Sequence, residues 1–238
     1  MRNSTEDVRH ITERTSASQL KLFKRCPYAF KLKYLVGEKP IFRDPTIFTV
    51  GRVVHDTIES YYAAKPDQDD IEDAVRRYFH NLWDVTGKFD KYTMASQCLK
   101  HFTDFELLRR SNYDYFPASE KKISAHGFYG IIDYYDKPLK MIIDFKTEKR
   151  ARLLPRHKLQ AAVYNKIMDG NGKVHFYFLQ ENKILSYNIE DTVNQEVHTT
   201  KQDILQALEN DDFPISNKCS YCEFSYCCDK SKKITLEL

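Results

Sequence analysis

Hydrophobic and polar positions follow a helical period in the first half of the chain and a shorter, strand-like period in the second half. Apolar residues recur at helical spacing in five segments, which are predicted as helices: 19–25, 28–35, 48–64, 69–86 and 91–110. From residue 119 the period shortens to two, which predicts five strands: 119–126, 128–136, 139–147, 173–180 and 183–190. Two further helices are predicted at 156–169 and 192–210. This order predicts a mixed α/β fold.

The first predicted helix has a clear start and a clear break. Ser16 or Ser18 can cap it, because a hydroxyl at this position accepts a hydrogen bond from a free backbone N–H. Cys26-Pro27 interrupts the helical pattern, which resumes in YAFKLKYL.

Charged side chains stand on two of the predicted strands. In MIIDFK, alternation sends Met141, Ile143 and Phe145 to one face of the strand, and Ile142, Asp144 and Lys146 to the other face. Asp133 ends the preceding apolar run, YGII, and lies opposite them if the two strands form a hairpin across DKPLK. By itself the Asp-x-Lys spacing is common, and alone it indicates an ordinary ion pair on a solvated strand face.

Two converging carboxylates repel each other unless a cation lies between them, and hard oxygen ligands favour Mg²⁺ or Mn²⁺. Such a cation can bind a phosphate oxygen and activate water, with Lys146 near enough to orient that water or to stabilise developing charge. Two helices add side chains at matching positions. Gly51 and His55 lie four residues apart on one helix, and Gln160 and Tyr164 lie four apart on another.

The composition indicates an ordinary globular protein with two basic patches. The chain has 238 residues, of which 42% are hydrophobic, and a net charge of +3. It has no apolar run near the roughly 18 residues that a membrane span needs, and no apolar signal segment begins it, so we expect no membrane association and a cytoplasmic location. Residues 21–39 and 144–160 each carry six Lys or Arg side chains, which suits a polyanionic partner, although solvated helix faces would also explain them. The candidate nucleic-acid-binding residues are Lys24, Arg25, Lys31, Arg150, Arg152 and Arg156.

The cysteines indicate a metal centre. Cys219, Cys222 and Cys228 form C-x₂-C-x₅-C, a spacing that brings soft thiolate ligands together from a short segment. Cys26 is the better candidate for the fourth ligand, because Cys98 recurs with apolar residues at helical spacing and is predicted as a buried core thiol. Cys227 adjoins Cys228, and the sequence leaves open which of the two belongs to the centre.

These features, in this order along the chain, resemble the PD-(D/E)XK nuclease superfamily and, within it, the RecB-like branch. The matching pieces are GRVVH, GIIDYYD, IIDFKT and QAAVY. With LFKRCPYAFKLKYL before them and CSYCEFSYCC after them, the resemblance is greatest to CRISPR-associated RecB-like exonucleases, their viral relatives and the nuclease domain of bacterial AddB. It spans about residues 16–228 and predicts an α/β restriction-endonuclease-like core, with a mixed sheet flanked by helices.

The resemblance also implies roles for individual residues. It implies Mg²⁺ or Mn²⁺ ligation by His55, Asp133, Asp144 and the backbone carbonyl of Phe145. It gives Lys146 a catalytic role and gives Gln160 and Tyr164 supporting roles, all seven positions matching the family motif. Glu120 matches a position that is often acidic, with its role left open. The late cysteines and Cys26 match the ligands of a [4Fe-4S] cluster, and Zn²⁺ at the same four thiols is the alternative.

The implied function is metal-dependent hydrolysis of DNA, as a single-strand exonuclease of 5′ to 3′ polarity with additional endonuclease activity. Partners expected from the resemblance are DNA ends and either CRISPR integrase proteins or proteins of recombination, repair or viral replication. The alternatives are a zinc-stapled phage or recombination nuclease and a non-catalytic nucleic-acid-binding adaptor. We predict one RecB-like domain over 1–238, with an N-terminal helical segment at 16–55, a helical insertion at 56–118, a catalytic core at 119–190 and a C-terminal helix and cysteine segment at 191–238.

Overall fold

A mixed β-sheet organises the computed structural model, which describes residues 4–41, 48–83, 89–170, 172–216, 219 and 222–228. The helices are α1 (Ser4–Glu13), α2 (Ala17–Arg25), α3 (Pro27–Lys31), α4 (Thr49–Ala64), α5 (Ile71–Leu82), α6 (Phe89–Asn112), α7 (Pro155–Ile167) and α8 (Asp191–Asn210). A π-helical turn spans Leu32–Val36, and a 3₁₀ turn spans Gln68–Asp70. The strands are β1 (Thr15–Ser16), β2 (Ala118–Ala125), β3 (Phe128–Asp136), β4 (Met141–Lys146), β5 (Lys173–Phe178) and β6 (Lys183–Ser186).

Strand β3 lies at the centre of the part of the sheet that carries the candidate chemistry. β2 pairs with it antiparallel along most of its length, β1 pairs parallel with its start, and β4 pairs antiparallel with its end. β5 then runs parallel to β4, and β6 runs antiparallel to β5. The parallel pair of β4 and β5 requires a crossover, which α7 supplies.

Helices cover the sheet with two separate hydrophobic cores. Residues of α2, α3, α7 and α8 pack in one core with Ile142 of β4, whereas α4, α5 and α6 pack in the other with Ile143 and Phe145. Successive side chains of β4 therefore enter different cores, as strand alternation requires. The predicted mixed α/β fold with helices flanking a mixed sheet is confirmed.

Local sequence explains where the first helices begin and end. Ser16 caps α2, because its hydroxyl accepts a hydrogen bond from Gln19 N while the Gln19 side chain accepts one from Ser16 N. Cys26 is extended and Pro27 opens α3 at a position where its missing N–H is not needed. The π-helical turn ends at Gly37, whose φ of 83° is a left-handed conformation that glycine adopts without strain.

Among the described residues, no helix is long and apolar enough to cross a membrane. The helix α1 and the two-residue strand β1 have no counterpart among the predicted elements. The predicted end of the fourth helix, at residues 84–86, lies outside the described residues.

Candidate active site

Asp133 lies where β3 and β4 separate. The two strands pair from Asp136 and Met141 up to Tyr134 and Ile143, a register in which the next two positions would be Asp133 and Asp144. Instead of continuing the backbone pairing, the Asp133 carboxylate accepts a hydrogen bond of 2.8 Å from Phe145 N. The hairpin thus brings the two predicted carboxylates to one place, and the side chain of one holds the backbone beside the other.

Glu120 joins Asp133 from the opposite side. The β2–β3 register pairs Ser119 with Tyr134 and Lys121 with Ile132, so Glu120 falls across from Asp133, where no pairing occurs. Its φ is 45°, a left-handed conformation that is unfavourable for a residue with a side chain inside a strand. Strained backbone inside a strand is one of the features that cluster at active sites.

His55, on α4, completes a group of three potential metal ligands. One ligand atom from each of His55, Glu120 and Asp133 lies within 4.8 Å of the other two. His55 Nδ1 is 3.4 Å from Asp133 Oδ2. The carboxylate oxygens of Glu120 and Asp133 suit Mg²⁺ or Mn²⁺, whereas an imidazole donor is more typical of softer transition metals, so the two carboxylates carry the fit to the predicted metal.

Asp144 is held in a network beside this group. It is 2% exposed and pairs with the ammonium of Lys146. Gln160 donates a 2.5 Å hydrogen bond to Asp144 Oδ2 and accepts one of 3.1 Å from Lys146 Nζ. Tyr164 lies 3.3 Å from the same carboxylate oxygen and donates to Ile131 O at 2.6 Å. The predicted set of Asp144, Lys146, Gln160 and Tyr164 therefore forms one connected cluster.

Close packing of α7 on β3 makes this cluster possible. A Cβ added at Gly130 would lie 2.8 Å from the Tyr164 ring, closer than side-chain atoms normally approach. Gly130 therefore allows α7 to approach β3 closely enough for Tyr164 to reach Ile131 O.

Burial and mutual repulsion shift the protonation of the acidic groups. Burial and the charge of Asp133 raise the pKa of Glu120 to about 7. Burial raises the pKa of Asp144 while the Lys146 ammonium opposes that rise. Burial lowers the pKa of His55, but the charge and hydrogen bond of Asp133 outweigh it and raise this pKa to about 9. A concentration of negative charge of this kind is suited to a cation.

The compact group of potential metal ligands contains two of the three predicted side-chain ligands. His55 and Asp133 lie together as predicted, but Glu120 is the third member of the compact group, while Asp144 is engaged by Lys146, Gln160 and Tyr164. The Phe145 backbone lies beside Asp133 through its N–H. The sequence marked Glu120 only as an acidic residue on the preceding strand, and its register against Asp133 was the missing information.

The candidate nucleic-acid-binding residues fall into two groups. Lys24 pairs with Glu196, Arg25 with Glu223 at 2.6 Å, Lys31 with Asp211 at 2.7 Å and Arg156 with Glu148 at 2.7 Å. Arg150 and Arg152 are exposed in the loop after β4. The three candidate residues near the N-terminus, Lys24, Arg25 and Lys31, are thus ion-paired within the protein, while the loop after β4 presents cations to solvent.

Four of the six cysteines line one cavity between the two ends of the described chain. Its walls include Cys26, which follows α2, and Cys219, Cys222 and Cys228 from the C-terminal segment. Cys98 is fully buried in α6, as its helical spacing predicts. All six cysteines are free thiols.

Comparison with known proteins identifies the class. A family model described as the PD-(D/E)XK nuclease superfamily matches residues 14–229. The chain belongs to this superfamily, whose members are metal-dependent nucleases. No curated protein matches the chain. One solved structure, titled "Crystal structure of SSO0001", is 17% identical and aligns over 77% of this chain and 96% of its own, with a TM-score of 0.33, an overlap too weak to establish a shared fold.

Proposed function

We propose that this protein is a Mg²⁺- or Mn²⁺-dependent deoxyribonuclease that degrades single-stranded DNA from its ends, with 5′ to 3′ polarity and additional endonuclease activity. The observation that carries the proposal is the convergence of His55, Glu120 and Asp133 beside the Asp144–Lys146 pair. A module that only binds DNA gains nothing from carboxylates that repel a polyanion, so this convergence argues against the adaptor alternative.

The chain's own residues divide the work of phosphodiester hydrolysis. A bound Mg²⁺ or Mn²⁺ would polarise a phosphate oxygen and ease the deprotonation of water. His55, Glu120, Asp133 and Asp144 are the side chains that would hold it.

Lys146 supplies positive charge that does not depend on the metal. Its ammonium, next to Asp144 and 3.1 Å from Gln160 Oε1, would orient the attacking water or stabilise charge that develops on the phosphate. Gln160 and Tyr164 act as positioning residues, because both contact Asp144 Oδ2 and thereby fix its orientation.

The test is a cleavage assay on labelled single- and double-stranded DNA with Mg²⁺, Mn²⁺ or EDTA. We expect wild type to cut with either metal, EDTA to stop cutting, and restored metal to recover it. Asp144→Ala should lose most cleavage, while Asp203→Ala, which removes an exposed carboxylate on α8, should not. Full activity in Asp144→Ala would remove the basis of the mechanism.

We further propose that Cys26, Cys219, Cys222 and Cys228 hold a [4Fe-4S] cluster with a structural role. Their common cavity supports this choice of four thiols over sets that include Cys98. Among the described residues, no three cysteine sulfurs lie within 4.8 Å of one another.

Resemblance to RecB-like nucleases is the support for single-stranded ends and for a role in CRISPR spacer acquisition, DNA repair or viral DNA processing. Copurification with integrase proteins would favour the first of these roles. Zinc without iron in the purified protein would leave the nuclease proposal standing and replace the cluster with the zinc-stapled alternative.

A further inference from the structure

A cleft of about 400 Å³ lies at the start of β3, next to the cluster of Asp144, Gln160 and Tyr164 in the candidate active site. Its lining includes Ser18, Tyr34, Tyr129, Gly130, Gln160 and Tyr164. Gln160 belongs to both places, because it lines the cleft and donates to Asp144 Oδ2 at 2.5 Å. Only the Gln160 side chain therefore separates a group bound in the cleft from the Asp144 carboxylate. The volume falls in the range of roughly 300–1,000 Å³ that is usual for small-molecule sites.

Two tyrosines give the cleft a flat, aromatic character. Tyr34 and Tyr129 are each partly exposed, whereas Phe30, one helical turn before Tyr34, is fully buried. Each tyrosine is supported by another ring: Phe30 lies 5.0 Å from Tyr34, and His10 lies 6.0 Å from Tyr129, between ring centroids. Burial and the neighbouring Tyr129 raise the pKa of Tyr34 to about 12, so its hydroxyl stays protonated at neutral pH. Supported and partly exposed rings are well suited to stacking on a flat ligand.

The backbone around the cleft is also unusual. Tyr34 lies in the π-helical turn Leu32–Val36, and such turns are rare and often occur at functional sites. Gly130, which also lines the cleft, carries no side chain, and the Tyr164 ring therefore packs directly against the backbone next to Tyr129. The Lys33 ammonium lies 5.0 Å from the Tyr34 ring and adds positive charge next to the aromatic surface.

We propose that this cleft binds the base of the nucleotide adjacent to the scissile phosphate, with Tyr34 and Tyr129 as the stacking residues. The proposal rests on the proposed nuclease function for the nature of the ligand. Stacking on aromatic side chains tolerates every base, so the cleft would fix the position of a single strand without selecting its sequence. A paired base inside a duplex cannot enter such a cleft, and the site would therefore favour single strands or frayed ends.

The experiment measures binding of short, labelled single-stranded oligonucleotides in EDTA, so that its readout does not depend on cleavage. Tyr34→Ala and Tyr129→Ala should each lower the affinity about tenfold, while Tyr34→Phe and Tyr129→Phe, which keep the ring, should stay close to wild type. Tyr113→Ala, at an exposed tyrosine beyond the end of α6, is the matched control. Ser18→Trp adds bulk at an exposed position of the cleft wall and should also weaken binding without disturbing the core.

A series of oligonucleotides, each with one abasic residue, identifies the stacked position. In wild type, affinity should fall when the abasic residue occupies one particular position. The Tyr34→Ala variant should bind that abasic oligonucleotide almost as well as it binds the intact one, because the stacking contact is already lost. Unchanged affinity in both alanine variants and in Ser18→Trp would overturn the proposal, as would equal losses at every abasic position. If the protein cuts no DNA but the effects of the abasic residue and of Tyr34→Ala overlap at one position, the nuclease proposal fails and base binding in the cleft stands. If the protein cuts DNA but the two effects do not overlap, only the proposal of base binding in the cleft fails.

Discussion

The candidate active site, around Asp133 and Asp144, and the cysteine-lined cavity both bring together side chains that are distant in sequence, but they are held together differently. In the candidate active site contacts within the protein hold the side chains, since Asp133 accepts a hydrogen bond from Phe145 N and Asp144 contacts Lys146, Gln160 and Tyr164. The cavity instead joins Cys26 to a C-terminal segment that is shaped by short turns, such as the one closed by Cys222 N and Cys219 O.

This difference predicts opposite consequences for substitution. Removing a carboxylate from the active centre relieves repulsion and leaves the scaffold intact, so chemistry should suffer more than folding. Removing a thiol from the cavity would remove a ligand of the group that we propose to join the two ends of the fold, so folding should suffer first.

The largest effect is expected at Asp133, with Asp136 on the same strand as its control. Asp133→Asn keeps the hydrogen bond from Phe145 N but loses the charge of a proposed metal ligand, so it should lower the cleavage rate at least a hundredfold. The variant also loses the ion pair with His55, but it relieves the repulsion of Glu120 and Asp144, so the change in stability should be small. Asp136 is 1% exposed, and its carboxylate accepts hydrogen bonds from the Tyr115 hydroxyl and from Leu139 N. Asp136→Asn should therefore cost about 1–2 kcal/mol of stability and little activity per folded molecule. Urea unfolding and cleavage rates, measured on the same samples, test both predictions. If the two variants lose activity and stability in the same proportion, the proposed difference between Asp133 and Asp136 is wrong.

The cysteine variants should show the reverse pattern. Cys26→Ser, Cys219→Ser, Cys222→Ser and Cys228→Ser should each lose iron and colour and lower the free energy of unfolding by about 3 kcal/mol, because a link between distant positions restricts the unfolded chain. The cleavage rate should fall only in proportion to the folded fraction of the protein. Cys98→Ala and Cys227→Ala should keep their iron. Iron and sulfide analysis across the six variants is decisive, and full iron in Cys26→Ser would exclude it as a ligand.

The pH dependence of stability should reveal the charge concentrated around Asp133. The pKa of Glu120 rises from 4.5 to about 7 on folding, so the folded protein holds this proton more tightly than the unfolded chain does. The resulting stabilisation is complete below pH 4.5 and is lost as pH rises through 7. His55 acts with the same sign, since its pKa rises from 6.5 to about 9, and its stabilisation is lost as pH rises through 9.

Glu120→Gln separates the two contributions. In metal-free protein, wild-type stability should fall by about 1 kcal/mol more than that of the variant between pH 4.5 and 7, a figure reduced for solvent screening of a partly exposed group. Urea unfolding in EDTA at several pH values measures this difference. Parallel stability curves for the two proteins would mean that Glu120 does not share the charge of Asp133.

The sequence predicts the strands that carry the candidate active site better than it predicts the surroundings of that site. Period-two alternation located β3 and β4, and a hairpin register then placed Asp133 against Asp144. Glu120 could not be assigned in this way, because its position depends on a left-handed φ inside a strand, which no side-chain pattern signals. α1 and β1 were missed because the first is mostly polar and the second has only two residues, too short for periodicity to emerge.

The basic patches show the same limit. Charge counting made the patches at 21–39 and 144–160 equivalent, but it could not reveal that acidic side chains from α8 and the C-terminal segment pair with the first of them. Such partners come from parts of the chain far away in sequence, and only the tertiary fold brings them close.

The smallest effect distinguishes the two patches by the salt dependence of DNA binding. Lys24 and Lys31 already pair with Glu196 and Asp211, so they release few counterions from DNA, whereas Arg150 and Arg152 are exposed. Charge reversal of Arg150 and Arg152 together should reduce the slope of log K against log salt by about 1.4, if each contacts one phosphate of a single strand. Reversal of Lys24 and Lys31 should change it by less than half of that. A titration of single-stranded DNA over a range of salt concentrations measures both slopes, and an equal reduction in the two double variants would show that DNA displaces the internal ion pairs and that both patches contact its backbone.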